Sequence, residues 1–330
     1  MPGLAHPDLD QCAREPVHTI GQIQPHGVLF AISEPDLIVR QVSTNVRDLL
    51  GLSTGVVLGH SFEAVLGVEQ FQAFRSHLFG NDALTASPLR MRPGGAVHEM
   101  DCIVHRHEGV LIVELELREG AYSLEPVNLD TDLRSPLSRM EQAADISDLS
   151  QLAASEIERL SGFDRVMVYR FDEEWNGEVI AESMSPSPVS YLGLRFPAGD
   201  IPPQARRLFL LNRLRTIVDV AATPAPIVSA TGPATGKTLD LTCSCLRSAA
   251  PVHLEYLRNM GVQSSLTISI VVGERLWGMI ACHHASPRHV DCSTRSVCEL
   301  VVKFLGSQVA LRIDNAALQL RLKSRNLLHS

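Results

Sequence analysis

Two α+β domains in series, each an antiparallel sheet with flanking helices, are what this sequence predicts. Three observations carry that expectation. Short strand-like runs come in pairs across turn residues. Helical stretches with apolar periodicity separate the pairs. A polar, Pro-containing stretch from Glu119 to Ser138 divides the chain, and 330 residues suit two domains.

The elements follow in order. Gly27–Ser33 and Leu37–Val42 are strands split by the turn-like Glu34-Pro35-Asp36. Ser43-Thr44-Asn45 offers an N-cap ahead of Val46, Leu49 and Leu50. Val97–His105 and Val110–Leu117 form a second pair across His107-Glu108-Gly109. In the last strand Val113, Leu115 and Leu117 alternate with Glu114 and Glu116, which predicts one wet face. This first unit is compatible with a PAS domain. Beyond the linker, a helix is expected over about 138–161, with Leu149, Leu152, Ile157 and Leu160 in the core. Strands Arg165–Phe171 and Gly177–Glu182 come next. Ile201–Leu214 reads as a helix, with Pro202-Pro203 suited to its first turn. Leu266–Val272 and Leu276–Cys282 read as a hairpin across Gly273-Glu274-Arg275. The order helix, strands, helix, long loop, strands is that of a GAF domain. From about Thr294 to Leu328 the chain is helical, with Leu305, Val309, Ile313, Ala316 and Leu320 at intervals of four and three.

Composition narrows the function classes. Net charge is −8 without long runs of one sign, which argues against nucleic acid as the main partner. The N-terminus has acidic residues and no apolar h-region, so no signal peptide is expected. No apolar run approaches the roughly 18 residues of a membrane span. Seven scattered cysteines read as reduced cytoplasmic thiols.

Several motifs suggest chemistry. Gly232–Thr238 resembles a phosphate-binding loop, but its glycines are one residue too close, and it lies in a Pro-rich stretch with Pro224, Pro226 and Pro233. A turn is the better reading. Cys243-x-Cys245 with Cys282-His283-His284 offers soft ligands, but the Cys-x-Cys spacing is tighter than structural zinc usually has. No metal site is expected. No Ser-His-Asp set, carboxylate pair or phosphate cradle supports an enzyme. Taken singly, Cys12 reads as an incidental thiol, Asp200 as an N-cap or first-turn acid of the helix that follows, and His253 and His283 as core histidines.

Set together, those residues look different. Cys12-Ala13-Arg14-Glu15-Pro16 runs into Ile23-Gln24-Pro25-His26-Gly27. Far downstream come Pro197-Ala198-Gly199-Asp200-Ile201-Pro202, Arg247-Ser248, His253–Gly261 and Trp277–His284. Over nearly its whole length the chain resembles the PAS-GAF chromophore-binding region of bacteriophytochromes. The resemblance implies a red/far-red photoreceptor that binds biliverdin IXα, a linear tetrapyrrole, and undergoes light-driven Z/E isomerisation at its ring C–D bridge. It implies covalent attachment through Cys12, whose thiolate adds to a vinyl group. Arg14 favours that thiolate, while Asp8 and Asp10 oppose it.

The resemblance also assigns roles within the GAF domain. The Asp200 carbonyl faces the pyrrole N–H groups, with Ile201 and Pro202 beside it. His253 tunes proton release, and His283 bonds the ring D carbonyl. Tyr169, Tyr191, Phe196 and Tyr256, with Met167 and Val252, line the ring D pocket. Arg215 and Arg247 hold one propionate; Ser265 and Thr267 hold the other. Gly199, Phe209 and Ala250 depart from residues usual in the family. Gly199 removes a hydroxyl and loosens the backbone before Asp200.

Topology and partners follow from the same resemblance. The N-terminal segment threads a loop over about 219–250 in a figure-of-eight knot, with Ile23 the threaded residue. Expected domains are an N-terminal segment 1–26, a PAS domain 27–125, a bilin-binding GAF domain 126–308, and over 309–330 the start of a helix leading to an absent PHY domain. Kinase activity would belong to a longer histidine kinase. A homodimer through a GAF helical bundle is expected, with no nucleic-acid or membrane partner. Without a PHY tongue the photoproduct should be poorly stabilised. The competing reading is a PAS-GAF sensor of a cyclic nucleotide or haem.

Overall fold

A computed structural model describes residues 17–80, 88–118, 133–185, 189–230 and 238–327. Within these the chain divides into two compact units. The first comprises residues 1–123, 216–264 and 286–293; the second comprises 124–215, 265–285 and 294–330.

The first unit is built on an antiparallel sheet. Its strands are β1 (Gln22–Ile23), β2 (Gly27–Ser33), β3 (Ile38–Ser43), β4 (Leu89–Met91), β5 (Met100–His107), β6 (Val110–Leu117) and a later strand at Ala225–Ser229. The order across the sheet is β1, 225–229, β3, β2, β6, β5, β4. Helices α1 (Val46–Leu50), α2 (Thr54–Val57), α3 (Phe62–Leu66) and α4 (Val68–Phe79) lie between β3 and β4 in sequence. They pack against one sheet face, where Val28, Phe30, Val113 and Leu115 meet Phe62 and Phe74 in the core. Asn45 does stand at the N-cap of α1. Its side chain caps nothing, however, and donates instead to the Gly27 carbonyl at 2.7 Å.

The wet face expected on β6 does not exist. Glu114 is 0% exposed and Glu116 1%. The sheet has a second core on that side, in which Leu29, Ala31 and Ile112 pack with Ile23, Leu239, Leu241 and Leu246. Alternation along β6 was read correctly. What it could not reveal is that a segment more than a hundred residues downstream covers the polar stripe. Buried Glu114 then finds its partners on that segment. Its carboxylate accepts from Ser244 Oγ at 2.6 Å and from the Leu246 and Cys245 N–H groups at 2.7 and 3.1 Å.

The stretch read as a long loop over 219–250 also contributes a strand. Ala225–Ser229 pairs with β3 on one side and β1 on the other. Ile23 is fully buried, paired to Ala225 and bridged to Arg247. The Gln24 N–H donates to the Leu246 carbonyl, and the Ser248 N–H to the Gln22 carbonyl. Residues 22–24 are thus bonded both to the 225–226 pair and to residues 246–248. Gln24 adds side-chain bonds to a third stretch. Its Nε2 donates to the Thr216 carbonyl at 2.8 Å, and its Oε1 accepts from the Val218 N–H at 3.0 Å.

The second unit holds the sheet ordered Leu214–Ile217 (reaching the unit boundary), Ser264–Val272, Arg275–His284, Arg165–Phe171, Gly177–Met184 and Arg195–Phe196. In chain order we name them β7 (Arg165–Phe171), β8 (Gly177–Met184), β9 (Arg195–Phe196), β10 (Leu214–Ile217), β11 (Ala225–Ser229, of the first unit), β12 (Ser264–Val272) and β13 (Arg275–His284). The helix expected over 138–161 is two helices, α5 (Arg134–Glu141) and α6 (Ile146–Ser161). Asp145 causes the break: its extended backbone and its side chain, accepting from the Asp148 N–H, start a new helix. The helix expected to begin at Ile201 begins later, as α7 (Pro203–Leu211). Helix α8 (Pro251–Asn259) belongs to the first unit, and α9 runs from Cys292 to Leu327. No helix among the described residues is long and apolar enough to cross a membrane.

Candidate functional site

The aromatic residues singled out in the second unit converge. Met167 and Tyr169 on β7 are buried in one apolar cluster with Phe171, Val179 and Met279; Tyr191, Phe196, Ile201 and Phe209 pack against it half-buried. Strand register explains the grouping. Met167 stands opposite Ala281, and Tyr169 opposite Met279. Side chains alternate along a strand, so His283 shares the face of Met279 and Ala281. The Tyr169 ring lies over Gly177, where a Cβ would sit 1.6 Å from its Cζ. Its ring also meets Phe196 at 5.9 Å between centroids.

Tyr191 is held by charged neighbours. The Arg165 guanidinium lies 4.0 Å from its ring centroid, and Arg165 pairs with Glu182 at 3.1 Å. Glu182 also accepts from the Tyr191 N–H at 3.1 Å. On the far flank Arg206 stacks on Trp175 at 4.6 Å, and its Nη1 is buried without a hydrogen-bond partner.

Asp200 is no helix cap. It closes a short 3-10 turn, Ala198–Asp200, two residues before α7, and Pro202 occupies the N-cap. The Asp200 N–H donates to the Pro197 carbonyl at 3.1 Å, and Ala198 N–H to Asn176 Oδ1 at 3.3 Å. The residue is surface-exposed, yet neighbouring atoms crowd its carboxylate enough to raise its pKa above the ordinary aspartate value. Ser265, Thr267 and Ser269 alternate along β12. Ser269 Oγ donates to the Phe209 carbonyl at 2.7 Å, which turns that hydroxyl row toward the α7 side. Arg215 is half-buried.

The remaining expected residues belong to the first unit and are described there. Arg247 is 6% exposed, and its Nη1 is buried with no hydrogen-bond partner. Burial pulls its pKa down, against the nearby Asp240 and Glu114 carboxylates. A buried guanidinium with an unanswered N–H is a receptor for an oxyanion. His253 and Tyr256 lie one helical turn apart on α8 and stack at 6.3 Å, both exposed, Tyr256 by 41%. Val252 beside them is half-buried. Cys12 and residues 232–237 of the phosphate-loop look-alike lie outside the described residues.

The ligand atoms that converge among the described residues are not those of the cysteine motif but of His26, Glu116 and His289. Sequence reasoning missed this cluster. His26 was in view as part of Gln24–Gly27; Glu116 was assigned to solvent, and nothing drew attention to His289.

Two family matches cover the chain: the PAS fold over residues 12–118 and the GAF domain over residues 145–313. A bacteriophytochrome of Xanthomonas campestris pv. campestris is 42% identical over 310 residues, covering 92% of this chain and 47% of its own length. Cyanobacterial phytochrome B of a Nostoc species is 39% identical over 310 residues, covering 93% of this chain and 41% of its own length. The chain therefore spans less than half of these relatives. Among solved structures, the chromophore-binding domain of Stigmatella aurantiaca bacteriophytochrome in the Pr state superposes with a TM-score of 0.85 at 40% identity. That match covers 91% of this chain and 99% of the other.

Proposed function

Because this chain belongs to the bacteriophytochrome family, as a PAS-GAF photoreceptor module, we propose that it senses red and far-red light through covalently bound biliverdin IXα. Arg247 is the observation that carries the choice of ligand: its buried, unanswered Nη1 fits a propionate. When bound, the bilin supplies light absorption and Z/E isomerisation at its ring C–D bridge.

The chain's residues do the rest. Arg247 and Arg215 hold one propionate by charge, while Ser265 and Thr267 offer hydroxyls to the other. The second-unit aromatic cluster of Met167, Tyr169, Tyr191 and Phe196 supplies an apolar wall that keeps water from the pigment. Asp200, with Ile201 and Pro202, presents its backbone carbonyl to the pyrrole N–H groups; absent from the helix cap, its carboxylate is left to act near ring D. His253 exchanges protons at the pyrrole nitrogens, and His283 donates to the ring D carbonyl. Arg165 and Glu182 position Tyr191. Cys12 contributes the anchoring thiolate. Signalling runs to an output module of the kind a longer protein carries, for instance a histidine kinase, and the module pairs as a homodimer.

The test is to mix the purified chain with biliverdin, record its visible spectrum, and repeat with Cys12→Ser after denaturation. A red band, with pigment that stays on the denatured wild type and leaves the variant, is expected. Pigment still covalent in the variant would move the anchor to another thiol such as Cys243 or Cys245. No red band would overturn the bilin assignment.

A further inference from the structure

In the first unit, three side chains from distant parts of the sequence meet in the interior. His26 immediately precedes β2, Glu116 lies near the end of β6, and His289 sits in the 286–293 stretch. His26 Nε2 is 3.0 Å from Glu116 Oε1, and His289 Nε2 is 3.4 Å from the same oxygen. All three ligand atoms lie within 4.8 Å of one another. Their side chains are 9%, 1% and 5% exposed. The imidazoles tilt at 57° with centroids 5.4 Å apart, so they converge rather than stack.

We propose that His26, Glu116 and His289 bind one zinc ion, which clasps the N-terminal segment to β6 and to the 286–293 stretch. Geometry favours this. Zinc holds nitrogen and oxygen ligands at about 2.0–2.2 Å in a tetrahedron, which puts neighbouring ligand atoms roughly 3.3–3.5 Å apart. Small inward or outward shifts of the observed 3.0 and 3.4 Å contacts reach that value. Two imidazoles and a carboxylate also form the three-ligand set that zinc takes with a solvent molecule in the fourth place.

The surroundings favour a cation too. Asp101 stands directly opposite Glu116 in the β5–β6 register and pairs with Arg118 at 2.8 Å. A divalent ion at Glu116 relieves the crowding of these two carboxylates. The site is separate from the residues assigned to the bilin, and this inference does not rest on that assignment.

The experiment uses the full chain before any pigment is added, because free bilins themselves take up zinc. The chain is stripped with a chelator, given zinc chloride, desalted, and assayed for bound metal by mass spectrometry. About one zinc per chain is expected, with a rise in Tm on zinc addition. Cobalt in its place should give the intense visible bands of a tetrahedral site. His289→Gln and Glu116→Gln should weaken zinc binding by at least about a hundredfold, more than loss of a supporting contact would. Cys243→Ser/Cys245→Ser should leave it intact. The wild-type reading does not depend on the variants' folding: a stripped wild-type chain that retains no zinc and gains no stability overturns the proposal. So does zinc that survives loss of His289 but not loss of the two cysteines.

Discussion

A methyl group at position 177 would fall inside the Tyr169 ring, 1.6 Å from Cζ. Gly177 therefore does more than begin a strand: it leaves the space in which an aromatic ring of the second-unit cluster lies. Gly177→Ala is expected to destabilise the chain by about 1–3 kcal/mol, since the ring must leave a packed cluster, and chemical denaturation would measure it. An unchanged unfolding midpoint would show that the ring moves freely. The sequence could not disclose this, because glycine in a strand has many meanings. Tyr169 itself was legible, as were Met167, Tyr191 and Phe196, and the structure does gather them into one cluster. Asp200 was legible as a residue but not in its setting. A capping role was the natural reading of an acid before Pro202-Pro203, and the separate 3-10 turn removes it.

At the scale of elements, β6 gives the clearest lesson. Its alternation correctly assigned Val113 and Leu115 to one face and Glu114 and Glu116 to the other. Which faces are wet depends on what covers them, and the covering segment comes from residues 239–246. Glu114 is consequently a buried acceptor for three donors on that segment. Glu114→Ala should cost about 3 kcal/mol or more, because the Leu246 and Cys245 N–H groups and the Ser244 hydroxyl would be left unanswered in the interior. Thermal unfolding reads this, and a loss below about 0.5 kcal/mol, as at an ordinary surface site, would show that water replaces the carboxylate. Helix boundaries followed the same logic. Periodicity ran through 138–161, but the Asp145 cap interrupts it locally.

For the whole molecule, the 36-residue helix α9 raises the question of assembly. Leu305 and Val309 are fully buried, so the proximal half serves the chain's own core. Further along, Leu311, Leu318 and Leu322 are exposed at intervals of seven and four, a stripe that suits a second helix. A homodimer by light scattering is expected. Leu311→Arg/Leu318→Arg should weaken it at least tenfold, about 1.4 kcal/mol; a wild-type monomer at high concentration would refute the pairing. By itself the sequence determined the α+β class, the PAS-then-GAF order and most strand pairs. These rest on local periodicity and on contiguous motifs, which a chain carries wherever it folds. Tertiary structure alone decided that β11 joins the first sheet, that residues 22–24 are bonded both to the 225–226 pair and to residues 246–248, that Glu114 and Glu116 are buried, and that His26, Glu116 and His289 meet. Each depends on contacts between residues scores to hundreds apart in sequence, and no local pattern encodes which distant segment arrives to make them.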